Sequence, residues 1–162
     1  MKLLCDSMLG RLTRYLRLLG IDTMYTSSKL FDLKIELARD EERIFLSRDT
    51  RLLKRKDIPP SCFVRSNFPE EQIYEVINTL NISPSEFKPF SRCLRCNSEI
   101  LPIKREEVSG RVPDYVMRTQ EGFSCCKVCN SIYWRATHYV RMQRVVDTII
   151  KKLTPPNSKI LI

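Results

Sequence analysis

Apolar positions in the first half of the chain alternate between two rhythms. Lys2–Cys5 is a short apolar run closing on Asp6, and Leu9, Leu12, Leu16 and Leu19 follow at the spacing of one helix face. Gly20 stands where a helix ends on a left-handed glycine. The pattern repeats: a strand over 23–26, a helix over 33–39 with Asp32 as its N-cap, and the clearest strand, 43–47, running into Arg48-Asp49. Asp49 is placed to cap a short helix over 50–54. Pro59-Pro60 then breaks the chain before a fourth strand at 62–64 and a helix over 70–80 entered through Pro69. This alternation predicts an α/β fold with a mostly parallel sheet and helices on both faces.

From Asn81 the rhythm stops. Pro84, Pro89, Pro102 and two cysteine motifs replace it, with β-type segments near Phe123 and over 132–134. A helix over 139–153 follows, stopped by Pro155-Pro156 before a polar-then-apolar tail. No internal repeat is evident, and the chain divides into 1–88, 89–137, and a closing helix and tail over 138–162.

Composition narrows the class. With 43% hydrophobic and 29% charged residues and 4 Gly in 162, collagen, coiled coil and bulk disorder are excluded. No apolar run approaches the roughly 18 residues of a membrane span. Asp6 interrupts the place a signal peptide keeps apolar, so an intracellular location, cytoplasmic or nuclear, is expected. The net charge of +9 is uneven: residues 1–87 carry +1, whereas 88–162 carry 14 Lys/Arg against 6 Asp/Glu. That asymmetry points to a polyanion, nucleic acid before membrane.

Three acids stand out by position. Asp6 and Asp49 end the first and third strands, and Asp32 starts the helix between strands two and three. Side chains at the carboxyl ends of parallel strands converge where strand order reverses. Neighbouring carboxylates need a cation, here a hard divalent ion such as Mg²⁺ or Mn²⁺. Such an ion activates water and stabilises the leaving oxygen in phosphodiester cleavage. Plain helix capping is the competing reading for Asp32 and Asp49, but not for Asp6. Arg48 is placed to touch a scissile phosphate, and Arg11, Arg14 and Arg17, opposite the leucine stripe, to hold a phosphate backbone. Asp22 reads as a turn residue and Glu36 as a solvated acid.

Five of the seven cysteines fall between 93 and 129. Cys93-x-x-Cys96 and Cys126-x-x-Cys129, with 29 residues between them, read as two knuckles completing a structural zinc site. Cys125 is the alternative to Cys126, and the intervening stretch reads as a β-hairpin excursion. Cys5 and Cys62 read as small buried hydrophobes. Around the knuckles, Arg92, Arg95, Lys127, Arg135 and Arg141 interleave with Tyr133, Trp134 and Tyr139, a composition suited to single-stranded nucleic acid. Trp134 reads as ribbon core. His138, the only histidine, reads as a packed residue opening the last helix, or alternatively a proton shuttle.

Asp6-Ser7-Met8-Leu9-Gly10-Arg11-Leu12, Tyr15-Leu16-Arg17-Leu18-Leu19-Gly20-Ile21-Asp22 and Leu46-Ser47-Arg48-Asp49 together resemble the Mut-seven C-terminal RNase family. So do Arg92-Cys93-Leu94-Arg95-Cys96-Asn97 and Ile132-Tyr133-Trp134 followed by His138, and the resemblance runs in order over nearly the whole chain. It implies a PIN-like three-layer nuclease domain, a C-terminal zinc ribbon that helps to bind RNA, and metal-dependent RNA cleavage. By position, Asp6, Asp32 and Asp49 would hold the metal and the four knuckle cysteines the zinc. A PIN-like site often has a further acid after the fourth strand, where this chain reads Arg65-Ser66-Asn67. The expected protein is a divalent-metal-dependent ribonuclease. The rival is a non-catalytic RNA-binding adaptor with an inactive PIN-like domain.

Overall fold

The apolar runs of the first half become four strands in a computed structural model that describes residues 1–154. Pro155-Pro156 and the tail lie outside the described residues. Strands β1 (Lys2–Cys5), β2 (Asp22–Tyr25), β3 (Ile44–Ser47) and β4 (Ser61–Phe63) form one sheet in the order β2-β1-β3-β4, parallel throughout. Alternate residues of β1 face opposite ways. Leu3 and Cys5 join the core under helices α1 (Gly10–Leu18), α3 (Pro69–Thr79) and α5 (Thr137–Leu153), while Leu4 joins Phe31, Ile35 and Ala38 of α2 (Phe31–Asp40). This is the three-layer arrangement that the alternation predicts. Leu9, Leu12, Leu16 and Leu19 are fully buried, each worth about 1.5–3 kcal/mol relative to exposure.

The basic half builds a second, antiparallel sheet from β5 (Ile100–Ile103), β6 (Phe123–Cys126) and β7 (Ile132–Trp134). Between β5 and β6 the excursion is not a plain β-hairpin. It carries a 3-10 turn and the short helix α4 (Asp114–Thr119), whose Val116 packs with Val108 and Phe123 into a small core against which Trp134 rests. Helix α5 returns to the first sheet and sinks Val146 and Ile149 into its larger core.

The two sheets meet at the end of α1, and here three readings need correction. Arg17 is buried, not aimed at a phosphate backbone. Its Nε donates to the Thr23 carbonyl, and its Nη1 to the carbonyls of Leu94 and Arg95 in the first knuckle. Arg92 is likewise turned inward, donating to the carbonyls of Gly20 and Asn97. Asp22 opens β2 rather than sitting in a turn. It accepts from Arg43 Nη1 at 2.6 Å and Asn97 Nδ2 at 2.8 Å, with Arg92 at 3.4 Å, while Asn97 Oδ1 receives the Thr23 N–H. The physical reason is common to all three. A chain returning across the end of a buried parallel sheet leaves carbonyls and amides that water cannot reach, and long polar side chains satisfy them. Gly20 allows the approach: it has φ +84°, and a Cβ there would lie 2.1 Å from the Lys88 carbonyl oxygen.

Burial pushes the Asp22 carboxyl up, but hydrogen bonds from Arg43 and Asn97 and attraction to Arg43 and Arg92 outweigh it and leave it below the usual carboxylate range. Asp22→Asn is therefore expected to cost about 1–3 kcal/mol in urea unfolding at pH 7. Because the folded value is depressed, the wild-type advantage holds above the ordinary Asp value near 3.9 and shrinks as pH falls below it. A variant gap that does not narrow between pH 5 and pH 3 contradicts this assignment.

Candidate functional site

Strand order places two acids side by side. The chain runs from β1 outward to β2, then back across β1 to β3, so order reverses between β1 and β3, whose carboxyl ends carry Asp6 and Asp49. Asp6 is about 1% exposed and caps the first turn after β1 by accepting the Met8 N–H at 2.9 Å. Its second oxygen accepts from the Ser47 hydroxyl, whose oxygen in turn receives the Asp49 N–H at 2.9 Å. Ser47, buried at the last position of β3, therefore ties the two strand ends together. Among the described residues Asp6 has only these neutral partners and no ion pair.

Asp49 caps the turn Thr50–Leu53, as its position predicts, by accepting the Arg51 N–H. The Arg51 guanidinium also grips its carboxylate, at 2.5–3.0 Å. Those bonds hold the carboxyl below the usual range, with a smaller contribution from the charge of Lys34, which is buried on α2. Asp32 differs from its predicted role. Phe31 buries as the first residue of α2, so Asp32 lies in the first turn rather than at the cap, where the helix dipole still favours an acid. It is exposed and paired with Arg55, which also binds Asp57. The Arg51 and Arg55 guanidinium carbons stand 4.7 and 5.9 Å from the Phe31 ring centre. Asp49 and Asp32 are thus both linked to one aromatic ring through their arginines. Asp6, Asp32 and Asp49 are not brought within one ion's reach, since among the described residues only the cysteines form a cluster of three or more such ligands.

Arg48 is not free to meet a phosphate. It donates to the carbonyls of Arg65 and Ser66 and to Asn67 Oδ1, bracing the loop after β4. Glu75 braces the same loop from α3 by accepting the N–H groups of Arg65 and Ser66. Arg11 and Arg14 are exposed on α1, and Arg95, Lys127, Arg135, Arg141 and His138 are exposed on or beside the ribbon. The Tyr133 hydroxyl points inward to Cys93 Sγ at 3.0 Å. Sequence reasoning passed over Ser47, Lys34, Arg51 and Arg55. Ser47 adjoins the predicted Arg48-Asp49 pair and Arg51 stands two residues beyond Asp49, but nothing local announces that Arg55 reaches Asp32 or that both arginines lie over Phe31.

The ribbon gathers Cys93, Cys96, Cys126 and Cys129, with all four sulfurs within 4.8 Å of one another. Cys126, not Cys125, joins the cluster. Cys125 is buried on the neighbouring β6 position with the Arg111 Nη2 3.9 Å away. The knuckles are built alike, a repeat missed in the sequence. Cys93-Leu94-Arg95-Cys96-Asn97-Ser98 and Cys126-Lys127-Val128-Cys129-Asn130-Ser131 share the pattern Cys-x-x-Cys-Asn-Ser. Asn97 and Asn130 adopt φ of 72° and 57°, a left-handed turn that asparagine tolerates, and each returns its N–H to the first cysteine's carbonyl. Ser131 hydrogen bonds bring the Cys129 thiol down to about 6, whereas burial drives Cys126 up to about 12. Four crowded thiols cannot all ionise unaided, so the set can hold a metal such as zinc, which would balance the charge.

One zinc per chain is the expected stoichiometry by elemental analysis. Cys93→Ser and Cys126→Ser should lose it, and Cys125→Ser should retain it. Retention in Cys126→Ser with loss in Cys125→Ser would reverse the assignment.

Among the described residues no helix is long and apolar enough to cross a membrane. No curated protein and no solved structure matches the chain. The profile of the Mut7-C RNAse domain matches residues 1–146. With the acids at the switch point of a parallel sheet and the four-cysteine knuckles behind it, the chain belongs to the Mut7-C RNAse domain family.

Proposed function

We propose that the chain is a divalent-metal-dependent ribonuclease. The observation that carries the reading is Asp6, a carboxyl group almost wholly buried at a sheet switch point with no cationic partner among the described residues. Buried charges are ordinarily paired or ligate metals, so this donor set fits a hard cation. Asp6 and Asp49 would hold Mg²⁺ or Mn²⁺ once Arg51 yields the Asp49 carboxylate, and Asp32, held by Arg55 outside the reach of the same ion, would have to move inward to complete the set. Both arginines are at least one-third exposed, so their release costs little. A bound ion would supply charge stabilisation at the phosphate and a more acidic water.

The chain's own residues do the rest. Ser47 keeps Asp6 and the Asp49 backbone in fixed relation, and Asp6 also shapes the turn leading into α1. Exposed Arg11 and Arg14 at the start of α1 would neutralise backbone phosphates of a single RNA strand. A released Arg51 would be free to pair with a phosphate oxygen. The ribbon, with exposed Arg95, Lys127 and Arg135, would hold the strand further along. The present pairing of Asp49 and Asp32 with arginines favours a second reading, a non-catalytic adaptor.

Cleavage of end-labelled single-stranded RNA in Mn²⁺ separates them. Asp6→Asn and Asp49→Asn should lower the rate by about a hundredfold or more, as loss of a metal's several kcal/mol of stabilisation implies. Ser47→Ala should lower it about 10- to 100-fold by loosening both acids. Equal rates in all four proteins contradict the carboxylate mechanism. RNA binding without cleavage by the wild type supports the adaptor.

A further inference from the structure

A cleft of about 620 Å³ opens between the ribbon, the Phe90 segment and the first turns of α5. That volume lies within the usual range for small-ligand sites. Its walls are aromatic: Phe90 and Tyr139 lie 4.5 Å apart between ring centres, and Trp134 meets His138 edge-on at 6.0 Å. Arg92 and Arg135 line it against one acid, Glu121. The Arg135 guanidinium carbon stands 5.5 Å from the Tyr139 ring centre. Ring faces beside the exposed Arg135 guanidinium, in the half of the chain that carries the excess positive charge, suit an anion bearing a flat base; Arg92 lines the wall but is committed to Gly20, Asn97 and Asp22.

The cleft is not beside the carboxylates. Gly10, the first residue of α1, follows the turn that Asp6 caps, whereas Leu18, its last residue, lines the cleft. Nine residues at about 1.5 Å each put the two places about 13 Å apart along the helix. Arg17 and Asn97 fasten the first knuckle to the α1–β2 junction, so the ribbon is docked at this end of the sheet.

We propose that this cleft is a remote anchoring subsite for one unpaired nucleotide of the RNA strand, its base against Trp134 and Tyr139 and its phosphate met by Arg135. The occupant rests on the ribonuclease reading above. A strand must then span both places. At about 3.4 Å per stacked nucleotide, four or more are needed, and shorter fragments engage one end only.

Trp134 is the only tryptophan and lines the cleft, so all tryptophan emission comes from its wall. Zinc-loaded full chain carrying Asp6→Asn is titrated with oligouridylates of increasing length and with UMP and AMP, following Trp134 emission and the anisotropy of a labelled oligonucleotide. Wild type without added Mg²⁺ or Mn²⁺ replaces the variant if that substitution disturbs folding. The expected result is quenching that saturates with the anisotropy change and tightens beyond about four nucleotides. The double substitution Arg135→Ala, His138→Ala, at two exposed positions, should weaken binding about 5- to 150-fold.

Oligonucleotide binding that leaves Trp134 emission and the double variant's affinity unchanged overturns the subsite and spares the ribonuclease reading. Mononucleotides binding as tightly as the longest strand overturn it in favour of a free-nucleotide site. The expected quenching in a wild-type chain that never cleaves RNA upholds the subsite and overturns the ribonuclease reading instead. No binding of RNA in any arm overturns both.

Discussion

A small parallel sheet buried on both faces has no room for polar chemistry except at its two ends. That constraint organises the whole chain. Leu3, Leu4, Phe45 and Leu46 fill the middle of the sheet without exposure, and helices cover both sides. Every polar group with a task is therefore displaced to where the strands stop. At the carboxyl ends stand Asp6, Ser47 and Asp49, and at the amino end stand Asp22, Arg43 and the groups that receive the ribbon. Parallel strands must return by crossovers, so each end is built from loops distant in sequence.

The two ends handle their charges differently. At the amino end the acid is matched: Asp22 meets Arg43, Arg92 and Asn97, and the network closes around the first knuckle. Only Arg43 Nε is left without a partner among the buried side-chain atoms described. At the carboxyl end Asp6 is buried with neutral donors, while half-buried Asp49 and exposed Asp32 are held by arginines standing over Phe31. The first arrangement behaves as a fastener and the second as a site that a cation could reorganise. Helix α1 joins them, its leucine face in the core and Arg17 reaching past its own C-terminus into the knuckle.

What was legible in the sequence follows from these same constraints. Strands buried on both faces read as unbroken apolar runs, and the α1 stripe and Gly20 are local signals, so the three-layer half was readable. The start of α2 was displaced because Leu30-Phe31 shows no capping chemistry while Phe31 supplies burial. Strand β5 was missed because Pro102 argues against a strand; it survives there because β5 is at the edge of its sheet. Cysteine spacing announced the ribbon, while the matching Asn-Ser that completes each knuckle became evident only from its backbone turn. Arg17 was misplaced because periodicity locates a Cα and not the end of a long side chain. Arg51 lies only two residues from Asp49, but the Arg55–Asp32 pair and the stacking of both arginines on Phe31 depend on which loops meet, which no window of sequence contains.

The proposed function depends on a divalent cation held at the β1–β3 switch point by Asp6 and Asp49. Anomalous diffraction from crystals equilibrated with Mn²⁺ tests it directly. A manganese peak in coordination contact with both carboxylates is expected, with Arg51 turned away from Asp49. Crystals saturated with Mn²⁺ that show no peak there, and Arg51 still bound to Asp49, would contradict it.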